Sequence, residues 1–293
     1  VEAAMGQSVT KTLHSPPISA LVPPGNCQFG ETFIAVTLKQ RHRVSPTSFL
    51  LRFTLPDASK PLNLSTCACL LIKATVPPAT GTEGSTSQDV IRPYTPISTN
   101  ALKGYVDLLV KKYDGGLMST HLCQTMKVNE KVEFKHITFN VKIQAPFKPK
   151  KIGMIVGGTG ITPMIQALHA ILGAKDNNQE KQTVTMLYGS RDSGDILGRE
   201  MLDKWSKDHP DQFKLIHVLS HEPTTTDSSW TGARGFITKE MCQEHLPSPD
   251  DDCMIFVCGP PIMYKIFSGA RDEPELTGVL AELGYSKEQI YKF

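Results

Sequence analysis

The stretch Lys151-Ile-Gly-Met-Ile-Val-Gly-Gly-Thr-Gly-Ile-Thr-Pro-Met164 decides the fold of the second half of the chain. Its apolar first half predicts a buried strand, its glycines predict a tight turn, and Pro163 stands where a helix would begin. Glycines let a backbone approach a ligand closely, and the free N–H groups at a helix start attract phosphate. The turn lacks the ending of a P-loop and does not match the Gly-x-Gly-x-x-Gly fingerprint. A crossover turn without a ligand is therefore the alternative.

The residues that follow this turn alternate between helix and strand patterns. Helices are predicted over 162–172, 198–207, 238–245 and most of 261–283, and strands over 183–188, 213–219 and 252–258. Such alternation predicts a parallel sheet with helices on both faces. Ligands of such sheets bind at the carboxyl ends of the strands, so the turns after Val156 and Cys258 are the expected cofactor sites.

The residues before residue 146 show a different pattern. Short runs rich in β-branched and aromatic residues predict strands at 32–38, 49–55, 70–76, 105–112 and 131–135. Turn residues separate these runs, which indicates an antiparallel β-barrel, and the Gly- and Ser-rich segment 77–89 is predicted to be a surface loop. We expect two domains, a barrel over 31–146 and an α/β domain over 147–293, preceded by a mobile or draped N-terminal arm over 1–30.

Composition narrows the classes of protein. The 293 residues are 40% hydrophobic and 20% charged, and no apolar run reaches the length of a membrane span. The net charge of +2 combines +8 in residues 1–150 with −6 in residues 151–293. A basic half can steer an acidic protein partner, although an uneven scatter of solvated charges is the alternative. The basic residues are not interleaved with aromatics in a recognisable motif, which argues against nucleic-acid binding.

The seven cysteines lack CxxC spacing, which argues against a disulfide framework and a zinc site and favours a reducing compartment. The chain starts at Val1 rather than Met. We expect a cytoplasmic monomer, held on the endoplasmic reticulum or outer mitochondrial membrane, if at all, by a segment absent from this sequence.

Three further motifs have residue types that suit a nucleotide. In Arg92-Pro-Tyr-Thr-Pro-Ile-Ser98, Arg92 and Tyr94 share a strand face, as a phosphate-bearing ring ligand would require. An edge strand with a solvated Arg is the alternative. Gly115-Gly-Leu-Met-Ser-Thr120 places glycines before a helix start, which suits a diphosphate but also describes an ordinary turn. Cys258 before Gly-Pro-Pro261 either packs or faces a planar ligand.

Taken in order, the motifs of residues 92–95, 116–119, 157–164 and 258–261 resemble those of the ferredoxin-reductase-type flavoenzyme superfamily. Within it the chain most resembles the NADH–cytochrome b5 reductase family, over residues 32–293. The resemblance implies an oxidoreductase in which FAD takes a hydride from NADH and passes single electrons to cytochrome b5 or a similar acidic haem protein. The alternative acceptors are a ferric chelate, a quinone, or a fused haem or oxygenase component. The alternative class is an electron-transfer or regulatory subunit that keeps the fold but uses its flavin for binding or sensing.

The resemblance also implies roles for individual residues. The FAD-binding residues would be Arg92, Pro93, Tyr94, Thr95, Val110, Lys111, Tyr113, Gly115, Gly116, Leu117, Met118, Ser119 and Thr162. The nicotinamide cofactor would contact Gly158, Thr159, Gly160, Pro163, Arg191, Ser220, Cys258, Gly259, Pro260 and Pro261. Cys258 would lie beside the reacting nicotinamide carbon, and Lys111 would help to place that ring. Ser98 and Ser48 would relay a proton at the flavin edge.

The chain departs from the family pattern at several positions. Leu117 replaces the usual Lys, Cys67-Ala-Cys69 replaces a Gly-Gln-His turn, and His136 follows the barrel strand where Gly-Pro is usual. Ser220-His221 stands where NADH enzymes of the family usually have Asp. A hydroxyl followed by a base resembles the phosphate-binding pair of NADP-type relatives, with Arg191 as a third member. The expected donor is NADH, with unusual tolerance of NADPH.

Overall fold

The structure is a computed structural model that describes residues 15–76, 86–137, 143–174, 181–221 and 230–293. They form two compact units: residues 20–145, and residues 146–293 together with residues 15–19. Among these described residues, no helix has both the length and the apolar character needed to cross a bilayer.

The first unit is an antiparallel sheet of six strands. They are β1 (Ile34–Arg43), β2 (Ser48–Thr54), β3 (Leu70–Val76), β4 (Gln88–Tyr94), β5 (Tyr105–Lys111) and β6 (Lys131–His136), in the order β4-β3-β6-β1-β2-β5. A short helix α1 (Leu117–Thr120) runs into a π turn (His121–Thr125) after β5. The antiparallel fold predicted for this half is confirmed. The predicted loop 77–89 was wrong at its end, because Gln88 and Asp89 pair with β3, while residues 77–85 lie outside the described part of the chain.

The interior of this unit shows why these runs form strands. Burial alternates along β3 and β6, whereas β2 and β5 carry consecutive buried residues. Phe134 is fully buried between Phe29 and Phe53 at ring-centroid distances of 5.6 and 5.0 Å. One ion pair is also buried, since Arg52 donates two hydrogen bonds of 2.7 Å to the carboxylate of Asp107 across β2 and β5. These contacts hold the face of the sheet that carries the candidate FAD residues.

The second unit is a parallel sheet of six strands. They are β7 (Lys151–Gly157), β8 (Thr183–Ser190), β9 (Phe213–Leu219), β10 (Ala233–Arg234), β11 (Cys253–Cys258) and β12 (Ile290–Lys292), in the order β10-β9-β8-β7-β11-β12. The helices are α2 (Ile161–Leu172), α3 (Arg199–Asp208), α4 (Lys239–His245), α5 (Pro261–Phe267) and α6 (Gly278–Glu282). The predicted α/β fold is confirmed. The helix predicted over most of 261–283 is instead two short helices, because Gly269 takes a left-handed φ of +80° between them.

The described part of the N-terminal arm packs against its neighbours. The Ile18 N–H donates to Nδ1 of His169 at 3.0 Å, and the Trp205 indole N–H donates to the Ser15 carbonyl at 3.0 Å. His169 and Trp205 also meet edge to face at 4.7 Å. Residues 15–19 therefore cover α2 and α3, while residues 1–14 lie outside the described part of the chain.

Candidate functional site

The glycine turn after β7 is packed directly against the turn after β11. β7 and β11 are neighbours with Val156 opposite Cys258, so their carboxyl ends meet. A Cβ on Gly160 would lie 2.1 Å from the Cys258 carbonyl oxygen, and one on Gly157 would lie 2.8 Å from Cδ of Pro260. Two glycines of the motif are thus required because the two turns touch.

Gly158 differs from its neighbours in this turn. Its φ is +52°, and no atom lies within 4 Å of the position that a Cβ would occupy. The Thr162 hydroxyl donates to the Thr159 carbonyl at 3.2 Å and closes the turn at the start of α2. The turn therefore keeps one open backbone side, at Gly158, where a ligand can approach the N–H groups of the helix start.

The thiol of Cys258 ends β11 in a half-buried position. Burial raises the pKa of Cys258 to about 11, so the thiol is protonated at neutral pH. The buried phenol of Tyr264, in the helix that follows this strand, donates to the Phe293 carbonyl oxygen at 2.5 Å. The arrangement offers a neutral, polarizable side chain at the strand end.

Tyr188 supports the same turn and was missed by the sequence argument. Its hydroxyl donates to the Gly158 carbonyl at 3.2 Å and accepts the Leu197 N–H at 3.3 Å. The ring is fully buried. The only signal in the sequence was an aromatic residue with a polar handle at the end of a buried strand.

A second polar group lies at the carboxyl ends of β8 and β9. The Ser220 N–H donates to the Ser190 carbonyl at 3.0 Å, and the His221 N–H donates to the Arg191 carbonyl at 2.7 Å. The Ser220 hydroxyl is 2.7 Å from Nδ1 of His221. The Ser190 hydroxyl, which the sequence argument also missed, is buried and has no hydrogen-bond partner within the described residues. The structure thus brings Ser220, His221 and the backbone of Arg191 together at the carboxyl ends of β8 and β9.

In the first unit (residues 20–145), which we call the barrel unit, β4 carries Arg92, Pro93 and Tyr94 of the Arg-Pro-Tyr-Thr motif. Arg92 is exposed, and its guanidinium donates to the Ile91 carbonyl at 2.7 Å. Tyr94 packs partly against the core, and burial raises the pKa of its phenol well above the usual range. Arg92 and Tyr94 lie on one side of the strand, with Pro93 between them and Thr95 after them. The motif therefore offers a charged group and a ring next to each other.

The Gly115-Gly116 turn leads into α1. Gly115 has a φ of +72°, and a Cβ on Gly116 would lie 2.4 Å from Oγ of Ser119. The Ser119 hydroxyl accepts the Tyr113 N–H at 3.2 Å and donates to the Gly116 carbonyl at 3.1 Å. The proton of the Ser119 hydroxyl is therefore used within the turn. Met118 is buried, and Leu117 is exposed where a cation was expected.

The structure separates the two serines that were predicted to share a proton relay. Ser48 is fully buried opposite Lys111, beside the buried Val110, and its hydroxyl has no hydrogen-bond partner in the described parts of the chain. The Ser98 hydroxyl accepts the Asp107 N–H at 2.9 Å. Asp107 and Lys111 are four residues apart on β5, which is roughly 13 Å.

The buried hydroxyl of Ser48 has no hydrogen-bond partner among the described residues, and this bears on whether the first unit can bind a flavin. Leaving a buried polar group without a partner costs about 1–3 kcal/mol, and such groups mark places where a ligand completes the hydrogen bonding. Ser48 lies on the strand pair that carries Val110 and Lys111. The barrel residues therefore fit a ligand with hydrogen-bonding ring atoms, as FAD has.

Cys67, in the Cys67-Ala-Cys69 turn, has a backbone conformation that is strained for a residue other than glycine. Its φ is +64°, in the left-handed region that favours glycine, and its side chain is buried. The glycine that the family usually has in this turn would take that backbone conformation without strain.

Residues 35–142 match the family model described as an oxidoreductase FAD-binding domain, and residues 154–268 match the one described as an oxidoreductase NAD-binding domain. The chain is 40% identical over 268 residues to NADH-cytochrome b5 reductase 2 of Scheffersomyces stipitis, which covers 90% of this chain and 84% of the relative. It is 41% identical over 267 residues to the protein of that name in Neosartorya fischeri, with 89% and 77% covered.

Solved structures show the same architecture. The cytochrome b5 reductase domain of Ulva prolifera nitrate reductase superposes with a TM-score of 0.74 at 28% identity, covering 94% of this chain and 100% of that one. The CS-b5R domains of human Ncb5or share the fold, with a TM-score of 0.70 at 22% identity over 90% of this chain and 70% of that one. The chain belongs to the NADH-cytochrome b5 reductase family of FAD- and NAD-binding oxidoreductases.

Proposed function

We propose that this chain transfers a hydride from NADH to FAD and passes the electrons singly to cytochrome b5. Bound FAD would supply the hydride acceptor and the step from two-electron to one-electron chemistry. The observation that carries the proposal is the contact between the glycine turn and the backbone of Cys258, where a Cβ on Gly160 would lie 2.1 Å from the carbonyl oxygen. That contact fixes a half-buried thiol next to a helix start whose backbone is open at Gly158.

The α/β unit would hold NADH at this edge. Gly158, Thr159 and Gly160 would present backbone N–H groups to the diphosphate, and Pro163 would form the helix start beside it. Gly259, Pro260 and Pro261 would shape the pocket beside Cys258. The neutral thiol of Cys258 would contact the nicotinamide ring without adding a charge. Since no general acid or base is needed for hydride transfer, positioning is the main task of these residues.

The barrel unit would hold FAD. The Arg92 guanidinium and the N–H groups of Leu117, Met118 and Ser119 would neutralise the diphosphate, since Leu117 brings no charge. Gly116 would let the backbone approach the diphosphate, while its own N–H donates to the Tyr113 carbonyl at 3.0 Å. Pro93, Tyr94, Thr95, Val110, Lys111, Tyr113 and Gly115 would complete the flavin site. The buried hydroxyl of Ser48 supports a role at the flavin edge better than that of Ser98, which accepts a strand N–H at 2.9 Å.

Cytochrome b5 is the acceptor that the names of the relatives support. The net charge of +8 in residues 1–150 is consistent with steering of an acidic haem protein. Reduction of cytochrome b5 by NADH should therefore be fast at low salt and slow markedly as salt screens the attraction. Ferricyanide, a small acceptor, is the control. Failure to reduce cytochrome b5 at low salt while ferricyanide is reduced would contradict the proposed acceptor.

The polar group at β8 and β9 supports NADPH as a second donor. Ser220 and His221 are hydrogen-bonded at 2.7 Å, and the Arg191 backbone is tied to His221. The hydroxyl of Ser220, the imidazole of His221 and the guanidinium of Arg191 would donate hydrogen bonds to a 2′-phosphate. A carboxylate in their place would repel that phosphate. We expect measurable kcat/KM with NADPH, and a preference for NADH above about a thousandfold, roughly 4 kcal/mol, would contradict this.

A further inference from the structure

Tyr188 connects the glycine turn after β7 with the segment that leads into α3. It lies near the carboxyl end of β8 and is fully buried. Its hydroxyl oxygen is 3.2 Å from the Gly158 carbonyl oxygen, 3.3 Å from the Leu197 nitrogen and 3.4 Å from the Leu197 carbonyl oxygen. Tyr188 therefore joins two segments that lie at the carboxyl edge of the parallel sheet.

The hydroxyl of Tyr188 has one proton, and its neighbours determine where that proton points. A backbone N–H can only donate, so the hydroxyl accepts from Leu197. Of the two carbonyl oxygens within reach, that of Gly158 is the nearer. The hydroxyl proton therefore goes to Gly158.

The Gly158 carbonyl is held by two donors. Besides the Tyr188 hydroxyl it accepts the N–H of Ile161, the residue at which α2 begins. A carbonyl oxygen has two lone pairs, so each donor has its own. In a trans peptide the C=O and the following N–H point in opposite directions, and the Thr159 N–H is thus directed away from Tyr188.

The ring of Tyr188 is held by its neighbour on β9. Tyr188 lies opposite His217 in the sheet, and their ring centroids are 5.7 Å apart at an interplanar angle of 45°. Nε2 of His217 is in turn 2.8 Å from a carboxylate oxygen of Asp203 in α3. The hydroxyl that contacts Gly158 is therefore carried by a ring that packing keeps in place.

We propose that Tyr188 is a positioning residue whose hydroxyl fixes the Gly158–Thr159 peptide in the orientation that binds the diphosphate of the nicotinamide donor. The inference rests on the proposed function in one respect, that this diphosphate lies at the glycine turn. Gly158 has a φ of +52° and open space where a Cβ would lie, so few other contacts restrain its peptide.

The proposal separates affinity from rate. The diphosphate is remote from the reacting atoms, so its contacts are the same in the bound donor and in the transition state of hydride transfer. Such uniform binding changes the affinity for the donor and leaves the rate of the chemical step unchanged. Tyr188 should therefore act on the Kd for NADH and not on the limiting rate of flavin reduction.

The test compares Tyr188→Phe with a matched control, Tyr285→Phe. Tyr285 is also buried in the second unit and donates its hydroxyl to a backbone carbonyl, that of Pro247. The ¹³C chemical shift of the Gly158 carbonyl reports the hydrogen bonds that this group accepts. We expect it to move to lower frequency in Tyr188→Phe, because the carbonyl loses one donor, and to stay in place in Tyr285→Phe.

Stopped-flow reduction of the FAD-loaded protein by NADH, together with titration by ADP-ribose, provides the functional arm. In Tyr188→Phe the Kd for NADH should rise about five- to tenfold, as expected for one hydrogen bond, with the limiting rate unchanged within about twofold. ADP-ribose, which has the diphosphate but no nicotinamide, should lose affinity by the same factor. Neither ligand should bind differently to Tyr285→Phe.

Three results overturn the proposal: an unshifted Gly158 carbonyl, an unchanged affinity for ADP-ribose, or an equal loss of affinity in both variants. If ADP-ribose binds the wild type but NADH does not reduce its flavin, the proposed function fails, whereas the carbonyl shift and the ADP-ribose titration still decide the role of Tyr188. A wild type that binds neither ligand contradicts both.

Discussion

The two ends of the carboxyl edge of the parallel sheet are built in different ways. Where β7 and β11 end, backbone packs against backbone, and Gly160 has no room for a Cβ. Where β8 and β9 end, two backbone hydrogen bonds join Ser190 to Ser220 and Arg191 to His221, and the polar side chains determine the chemistry. We expect the first end to tolerate little change. At the second end we expect single side-chain substitutions to change the choice of nicotinamide donor, because they leave the backbone hydrogen bonds in place.

The largest loss of stability is expected where β7 and β11 end, which we call the close-packed end. Gly160→Ala places a Cβ 2.1 Å from the Cys258 carbonyl oxygen, and backbone atoms cannot move aside without separating the two turns. We expect a loss of about 3 kcal/mol in the free energy of unfolding, with loss of NADH binding. Urea denaturation monitored by circular dichroism measures the first, and titration with NADH the second.

Gly158→Ala is the matched control for that variant. It places Ala at a φ of +52° but meets no atom within 4 Å, so only the backbone strain of about 1 kcal/mol is expected. Equal losses in the two variants would contradict the claim that close contact, rather than glycine conformation, defines this end.

The next effect concerns α2, which starts at the close-packed turn. Burial lowers the pKa of His169 to about 4 from an ordinary value of 6.5, and its Nδ1 accepts the Ile18 N–H. The folded state keeps this base neutral, so its contribution to stability is complete above pH 6.5 and is lost as the pH falls toward 4. Stability should drop by about 2 kcal/mol between pH 7.5 and 5 from this residue. We would measure the free energy of unfolding of the wild type and of His169→Gln by urea denaturation at both pH values. The difference between the two pH values should be about 2 kcal/mol smaller in the variant. An equal difference in both proteins would show that His169 is not the group responsible.

At the carboxyl ends of β8 and β9, the choice between NADH and NADPH should depend on the charge of the side chain at position 220. Ser220→Asp places a carboxylate next to His221, where it would repel a 2′-phosphate, so we expect kcat/KM with NADPH to fall about 10- to 100-fold, or roughly 1.4–2.8 kcal/mol. The value with NADH should change by less than about threefold. Ser220→Asn is the neutral control of the same shape. If it lowers NADPH use as much as Ser220→Asp does, side-chain charge does not control the choice of donor at this end.

The sequence predicted most of what local patterns determine. The strand, turn and helix around Gly157 follow from an apolar run, glycines and a proline at a helix start. The breaks in pattern between residues 261 and 283 were harder to predict, since the left-handed Gly269 ends a helix that composition alone would continue. Strand β12 was missed because its three residues become a strand only by pairing with β11.

Side-chain partners far apart in the chain were beyond the sequence argument. Tyr188 binds the Gly158 carbonyl 30 residues away, and Tyr264 binds the Phe293 carbonyl 29 residues away. The resemblance indicated Ser48 and Ser98 together. Only the folded sheet shows that Ser48 lies opposite Lys111 with an unpaired hydroxyl, whereas the Ser98 hydroxyl accepts the Asp107 N–H.

Sequential-mixing stopped flow tests directly whether NADH reduces the bound FAD and whether the reduced FAD passes its electrons to cytochrome b5. The FAD-loaded protein is first mixed with one equivalent of NADH and then with oxidised cytochrome b5, while flavin and haem absorbance are followed. The account predicts rapid bleaching of the flavin, followed by reduction of two equivalents of cytochrome b5 as the flavin reoxidises. A flavin that NADH does not bleach, or that stays reduced in the presence of cytochrome b5, would contradict it.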